Sequence, residues 1–425
     1  MEQIIKTFSD YAWGLPLVIL LIGGGLYLLI LSKFLPFRYL GHAIQVLRGK
    51  YDDPNDPGQI SHFKALTTAL SSTIGMGNIA GVAVAISVGG PGAMFWMWIS
   101  AIVGMSTKFF TSSLAIMYRG KDSAGELQGG PMYFIVEGLG KSWKPLAIMF
   151  SVFAMIGALP VVNVNQLTQA INDIILTPNG IEVGLKSNLI LAFILVALTS
   201  VIIFGGLKRI SNAASKMVPS MVLLYFILVL FILISNYEVV PKYFIMIFTD
   251  AFLADYYEGD AFMGGVLGAL ILLGIRRGAF SNEAGIGTAP MAHGAAKTDE
   301  PVREGLVAML GPAIDTLMVC TLTALAILVT GVWETTSDNG VSLTASAFSN
   351  AMPVYGSYLL MVCVLIFSIS SLFSYAYYGS KCLSFLIGAD GVFALMAIPT
   401  MLATIIMAPR VTKEIKAYFK RVNED

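Results

Sequence analysis

The sequence predicts an all-α integral membrane fold, on three observations. Of the 425 residues 56% are hydrophobic and 12% charged, against roughly 45–50% apolar and about 25% charged in ordinary soluble domains; mean hydropathy is +0.77. Apolar runs of about 20 residues, enough to cross a hydrocarbon core, recur along the whole chain, and the short loops between them hold most of the charge. Two of these runs are interrupted at mid-depth by glycines, which is the observation that bears on function.

Ten candidate spans follow: 13–31, 66–88, 93–118, 146–171, 189–204, 217–234, 263–296, 306–332, 358–382 and 392–407. The first reads as a retained membrane helix, because the residues before it lack a basic n-region and a small-residue cleavage site. The chain reads as one membrane domain without a soluble module. Net charge is zero and no basic stripe is interleaved with aromatics, so nucleic acid is not an expected partner. Cys320, Cys363 and Cys382 lie in or at the ends of apolar runs without metal-ligand or disulfide spacing, and read as small core residues. His42, His62 and His293 form no metal set, and no nucleophile elbow or P-loop is present, so an enzyme is not expected.

Cytoplasmic loops hold Lys and Arg in excess. Lys33, Arg38, Arg48, Lys50 and Lys64 fall on one side, joined there by Arg119, Lys121, Lys141, Lys144, Lys208, Arg209, Lys216, Lys297, Arg303 and Lys381. The intervening loops hold Lys186 and Lys242, and one is acidic with Asp250, Asp255, Glu258 and Asp260. The N-terminus is therefore expected outside. Ten spans would also end outside, yet the tail carries Arg410, Lys413, Lys416, Lys420 and Arg421, which belong in the cytoplasm. Either one span does not cross or a helix of the ancestral fold is absent.

In the second span, Ser71-Ser72-Thr73-Ile74-Gly75-Met76-Gly77-Asn78 puts two glycines and a capping residue near the bilayer midplane, since thirteen residues of helix from His62 rise about 20 Å. Asn78 is expected to cap the second half-helix, leaving the N–H groups of Ile79, Ala80 and Gly81 free for a carboxylate. Carbonyls from Ser71 to Ile74 point the other way, toward a small cation. Unsatisfied backbone is tolerated at this depth only around a cavity or ligand. The seventh span repeats the pattern, with a break expected at Gly274-Ile275-Arg276-Arg277-Gly278. Both arginines should face water or a partner there, with Glu283 the nearest acid. A pair of interrupted helices in the two chain halves points to the substrate site of an inverted-repeat transporter. The alternative is that these glycines only permit close helix packing.

The runs Thr73-Ile74-Gly75-Met76-Gly77-Asn78-Ile79-Ala80-Gly81-Val82-Ala83 and Gly89-Gly90-Pro91-Gly92-Ala93-Met94-Phe95-Trp96-Met97-Trp98 resemble the alanine or glycine:cation symporter family, also called sodium:alanine symporters. So do Gly129-Gly130-Pro131-Met132-Tyr133, Phe280-Ser281-Asn282-Glu283-Ala284-Gly285, Ala296-Lys297-Thr298-Asp299 and Tyr377-Tyr378-Gly379. The resemblance implies two inverted five-helix repeats behind an extra N-terminal helix at 13–31. The first repeat is then 62–236, the second 262–409, and the basic tail 410–425. Such a fold has eleven spans, and the helix missing here is the ninth of the repeat core, between Gly388 and Val392. Alternatively, 392–407 lies re-entrant or at the interface.

By the same resemblance the chain imports a small neutral amino acid, alanine or glycine, with Na⁺ by alternating access, as a multi-pass protein of the plasma membrane in contact with its lipid. Gly75, Met76, Gly77, Asn78, Gln166, Leu273, Gly274 and Asn282 would line the substrate site. The carbonyls of Ser71 and Ile74 with the hydroxyls of Ser370 and Ser371 would hold Na⁺; the alternative for the two serines is bonding to their own helix backbone. No cofactor beyond the coupling ion is implied. Asp315, an acid deep in the eighth span, is either functional or paired with Lys108. Proton coupling through Asp315 or Glu283 is the second reading. A receptor or assembly subunit that no longer transports is the reading from another class.

Overall fold

The computed structural model describes residues 12–123, 125–258 and 265–388. The tenth span, the basic tail and the proposed deletion after Gly388 lie outside them. Within the described residues the chain is helical apart from a two-strand hairpin, Gly120–Lys121 with Leu127–Gln128. In chain order the helices that build the bundle are α1 (Leu15–Leu31), α2 (His62–Thr73), α3 (Gly77–Gly89) and α4 (Gly92–Met117). There follow α5 (Pro131–Leu139), α6 (Lys144–Gly157), α7 (Val161–Ile171), α8 (Leu185–Ile203), α9 (Gly206–Ser235) and α10 (Val240–Leu253). The last are α11 (Gly265–Asn282), α12 (Ala289–His293), α13 (Pro301–Val329), α14 (Val341–Ala351) and α15 (Gly356–Gly388).

Among the described residues, α4, α8, α9, α13 and α15 are long and apolar enough to cross a membrane, and the bent pair α2–α3 makes a sixth. The other three expected spans in this region are shorter or interrupted. α1 has 17 residues; the span at 146–171 is divided into α6 and α7 by Ala158–Pro160, where Pro160 has no N–H to continue the ladder; and the seventh span is α11 followed by the short α12.

Burial sorts the long helices into two ranks. Two-thirds of the most apolar stretch of α4 and of α13 is buried, against 11% for α8. α8 turns Leu189, Phe193 and Val196 outward, as a lipid-facing helix does. α4 is the hub, packing against α1, α10, α11 and α13. Small residues make that approach close. A Cβ on Gly274 would stand 2.6 Å from the Ala93 carbonyl oxygen and 2.5 Å from Trp96 Cβ, and one on Gly278 2.8 Å from Ser100 Cβ.

This corrects the expected second break. α11 runs without interruption through Gly274 and Gly278 to Asn282, because its glycines are there for helix packing. Arg276 and Arg277 therefore lie on a continuous helix, and neither forms an ion pair with Glu283.

The basic loops, far apart in sequence, meet at one end of the bundle. The Arg119 guanidinium donates to the carbonyls of Gly294 (2.9 Å), Thr298 (3.0 Å), Pro57 (3.1 Å) and Ala296. Burial lowers its pKa from the usual value, opposed by the carboxylates of Glu304, Asp299 and Asp56. Arg303 donates to the Tyr51 carbonyl at 3.1 Å and Lys381 to that of Met291 at 2.8 Å. The strand-like segment at Ile60 lies parallel to Ala296, with Lys297 N–H donating to the Ile60 carbonyl at 2.7 Å. Under it the fully buried Glu304, at the start of α13, bonds the rings of both His62 and His293. His62 opens α2 and His293 closes α12, so one carboxylate pins the two interrupted spans at this end. The opposite end is hollow: a cavity of about 650 Å³ is lined by Asp255, Glu258, Glu334 and Asp338 with Tyr256 and Trp333.

Two variants test this architecture. Gly274→Val is expected to lose about 1–3 kcal/mol by overpacking against the α4 backbone, read as a lower Tm in detergent; an unchanged Tm would refute the close approach. Glu304→Gln removes the charge shared by the two histidines. A Cys placed at the buried Ala295 should then react at least about tenfold faster with an impermeant maleimide from the basic-loop face.

Candidate functional site

The first interruption is where the sequence puts it. α2 is capped by Ser61, whose Oγ accepts from Lys64 N–H, and it stops at Thr73 because Ile74 turns extended (φ −75°, ψ 93°). α3 then sets off 55° away. Gly75 is required at the corner: a Cβ there would lie 2.6 Å from Ser371 Oγ on α15. Asn78 does not act as the expected N-cap. The helix begins at Gly77, in a widened first turn, and Asn78 Oδ1 accepts instead from Gly75 N–H at 2.9 Å.

The second interruption lies at Glu283–Thr288, between α11 and α12. Three residues there take positive φ: Glu283 at 54°, Gly285 at 88° and Gly287 at 99°. Such backbone ends a right-handed helix and is costly for Glu283, which has a side chain. A sequence signal for it existed. Asn282 followed by Gly285-Ile-Gly287 reverses the order of Gly75-Met-Gly77 followed by Asn78.

A single acid ties the two interruptions together. Asp315, fully buried on α13, accepts from Asn78 Nδ2 at 2.6 Å through Oδ1, and from Ser281 Oγ (2.8 Å) and Thr316 Oγ1 (2.7 Å) through Oδ2. Asn282 Nδ2 donates to Thr316 Oγ1 at 3.3 Å, and Asn282 Oδ1 accepts from Ala284 N–H at 3.0 Å, bracing the second corner. The alternative offered for Asp315, a pairing with Lys108, is not formed. The buried Lys108 Nζ lies beside Gly311 instead, outside ion-pair distance of Asp315.

Between the corners is a cavity of about 100 Å³, lined by Ser72, Thr73, Gly75, Gly77, Gly157, Leu159, Pro160, Asn163, Phe280, Ser281, Glu283 and Tyr375. Gly75 and Gly77 are the expected site residues that reach it. Met76 is packed in the main core and Asn78 and Asn282 are bound into the framework. Leu273 lies against Gly89 and Gly274 against α4, because the break is nine or more residues further on than expected. Gln166 is also elsewhere: its Oε1 faces Gly340, and its amide donates to Asn165 and Gln169. Asn163, one turn earlier on α7, takes the place at the cavity.

Of the expected cation ligands, Ser71 and Ser371 stand beside the first corner. Ser71 Oγ donates to Thr68 O at 2.8 Å and touches Ser374 Oγ, while Ser371 Oγ packs against Gly75. The hydroxyls of Ser370 and Ser371 both bond the Phe367 carbonyl of their own helix, and Ser370 faces Met221 on α9. Ile74 is buried at the end of α2. Sequence reasoning missed Tyr375, Phe280 and Ser72 as lining residues, since only the helix-to-helix register brings them together.

A family model described as the sodium:alanine symporter family matches residues 1–391. The chain belongs to that family. It is 39% identical over 395 residues to the sodium/alanine symporter AgcS of Methanococcus maripaludis, covering 92% of this chain and 84% of that one. It is 38% identical to an uncharacterized transporter of Haemophilus influenzae, covering 99% of this chain and 97% of the other. That alignment runs over 462 positions, more than the 425 residues here, so the relative has residues without counterparts in this chain. Among solved structures, MhsT in complex with L-phenylalanine superposes with a TM-score of 0.52 at 14% identity, covering 82% of this chain and 81% of that one; that likeness is one of fold. Members of the sodium:alanine symporter family are transporters, and this chain is a multi-pass membrane protein rather than an enzyme.

Asn78→Leu is expected to leave Gly75 N–H without its acceptor and Asp315 without one donor, two buried losses of about 1–3 kcal/mol each. A Tm equal to that of the unmutated protein would mean that Asn78 does not hold the two corners together.

Proposed function

We propose that this protein is a secondary symporter that carries a small neutral amino acid, alanine or glycine, into the cell together with Na⁺. The reading rests on one observation: a cavity of about 100 Å³ at a helix interrupted in mid-span, with Gly75 and Gly77 of the corner in its lining. The small size of the cavity suits a small substrate. The first turn of α3, at Gly77, presents N–H groups and the positive pole of a helix, suited to the substrate carboxylate. The C-terminal end of α2, at Ser71 to Ile74, presents carbonyls suited to a hard cation, with Ser371 beside them. The sodium/alanine relative supports both partners.

Its fold is proposed as two inverted repeats, 62–236 and 262–409, behind α1, with the second repeat short of one helix; the longer alignment with the Haemophilus influenzae transporter supports such a deletion. The basic end is assigned to the cytoplasm and the N-terminus to the outside. In that orientation the structure is closed inward by Glu304 and Arg119 and hollow outward. Proton coupling is the second reading, favoured by Asp315, a buried carboxylate bonded by neutral donors alone.

In proteoliposomes, uptake of labelled alanine or glycine should depend on an inward Na⁺ gradient. Uptake unchanged when choline replaces Na⁺, but abolished by collapsing a proton gradient, would replace sodium by protons as the driving ion.

A further inference from the structure

Glu283 has a geometry that the framework does not require. It is 5% exposed, at the corner between α11 and α12, in the left-handed region where a glycine would be at less cost. Its two carboxylate oxygens are held separately: Oε1 accepts from Tyr375 OH on α15, and Oε2 from Thr288 Oγ1 across the break. Among the described residues no Lys, Arg or His lies within ion-pair distance of it. Two neutral hydroxyls aim the group, and the buried Lys108, whose charge Glu283 feels, stays outside ion-pair distance. It lines the cavity of about 100 Å³ together with Gly75 and Gly77, and with Phe280, Gly157 and Tyr375 it also lines a second cavity of about 300 Å³.

A buried carboxylate without a counter-ion is costly unless a positive charge arrives. The cavity has one pole for an anion, the first turn of α3, and a carboxylate in its lining, Glu283, just beyond the end of α11. An α-amino acid is a small molecule that has both charges. We infer that Glu283 receives the substrate's α-ammonium group, as a binding residue positioned by Tyr375 and Thr288. The cavity would then read the ammonium and carboxylate of the substrate.

This inference rests on the amino acid reading above, and the test separates the two. Binding of alanine, glycine and glutamine to the purified protein is measured by calorimetry in Na⁺, for the wild type and for Glu283→Gln, which keeps the shape and can still bond both hydroxyls. The wild type should prefer alanine to propionate, its deaminated counterpart, by at least about 30-fold, and Glu283→Gln should lose alanine affinity by a similar factor. Sodium affinity without amino acid should not change. Alanine affinity within about threefold of wild type, propionate competing as well as alanine, or sodium affinity falling in step with that for alanine would each overturn the assignment. A wild type that binds glutamine alone overturns the small-substrate reading, and the ammonium assignment then stands if Glu283→Gln weakens glutamine by about 30-fold and falls if it does not; a wild type that binds none of the three overturns both. Should Glu283→Gln fail to fold, Tyr375→Phe removes one positioning hydroxyl. It should weaken alanine about tenfold with no effect on sodium, and an unchanged alanine affinity there overturns the proposal.

Discussion

Backbone polar groups cannot be left unsatisfied at membrane depth, and most of what is distinctive in this protein follows from where that rule is met by side chains instead of by helix. Two spans are interrupted, and each interruption releases donors and acceptors that a continuous helix would have paired. Asn78 answers the first by accepting from Gly75 N–H, and Asn282 the second by accepting from Ala284 N–H. Their amide NH₂ groups then reach α13, where Asp315 and Thr316 collect them. The corners are thereby fixed relative to one another through a third helix, and the cavity between them has a defined shape.

The two ends of the bundle differ in kind. At the basic end, Arg119 gathers four carbonyls from two loops and Glu304 joins the interrupted spans through His62 and His293. At the acidic end, carboxylates and aromatic rings line an open hollow. Cationic side chains suit the first arrangement because exposed carbonyl ends and a buried carboxylate both call for positive partners. The basic residues of these loops thus hold one end of the bundle together.

The first corner was legible in the sequence and the second was misread, for an instructive reason. Gly75 and Gly77 beside Asn78 form a corner because Gly75 meets Ser371 and Asn78 finds Asp315. Gly274 and Gly278 look as disruptive, yet they leave α11 straight, since each lies against the backbone or a small side chain of α4. Glycine in a membrane helix permits both a break and a close approach, and only the neighbouring helix decides between them. The true corner was marked by Gly285 and Gly287 after Asn282, with Glu283 between them in a conformation that no propensity would assign to it.

Composition and periodic apolar runs determined that this chain is a helical membrane protein, and the distribution of Lys and Arg determined which loops share an end, because transfer into hydrocarbon depends on residue type and run length alone. The motif around Gly75 to Asn78 determined one interrupted span and the family. What lines the cavity was decided by tertiary structure. Asn163 in place of Gln166, Tyr375 on α15, and Glu283 rather than Leu273 and Gly274 all depend on the rotation and register of helices packed against one another, which local sequence does not encode. Even Asp315 has its partners from three helices, and so its place between the two corners exists only in the folded bundle.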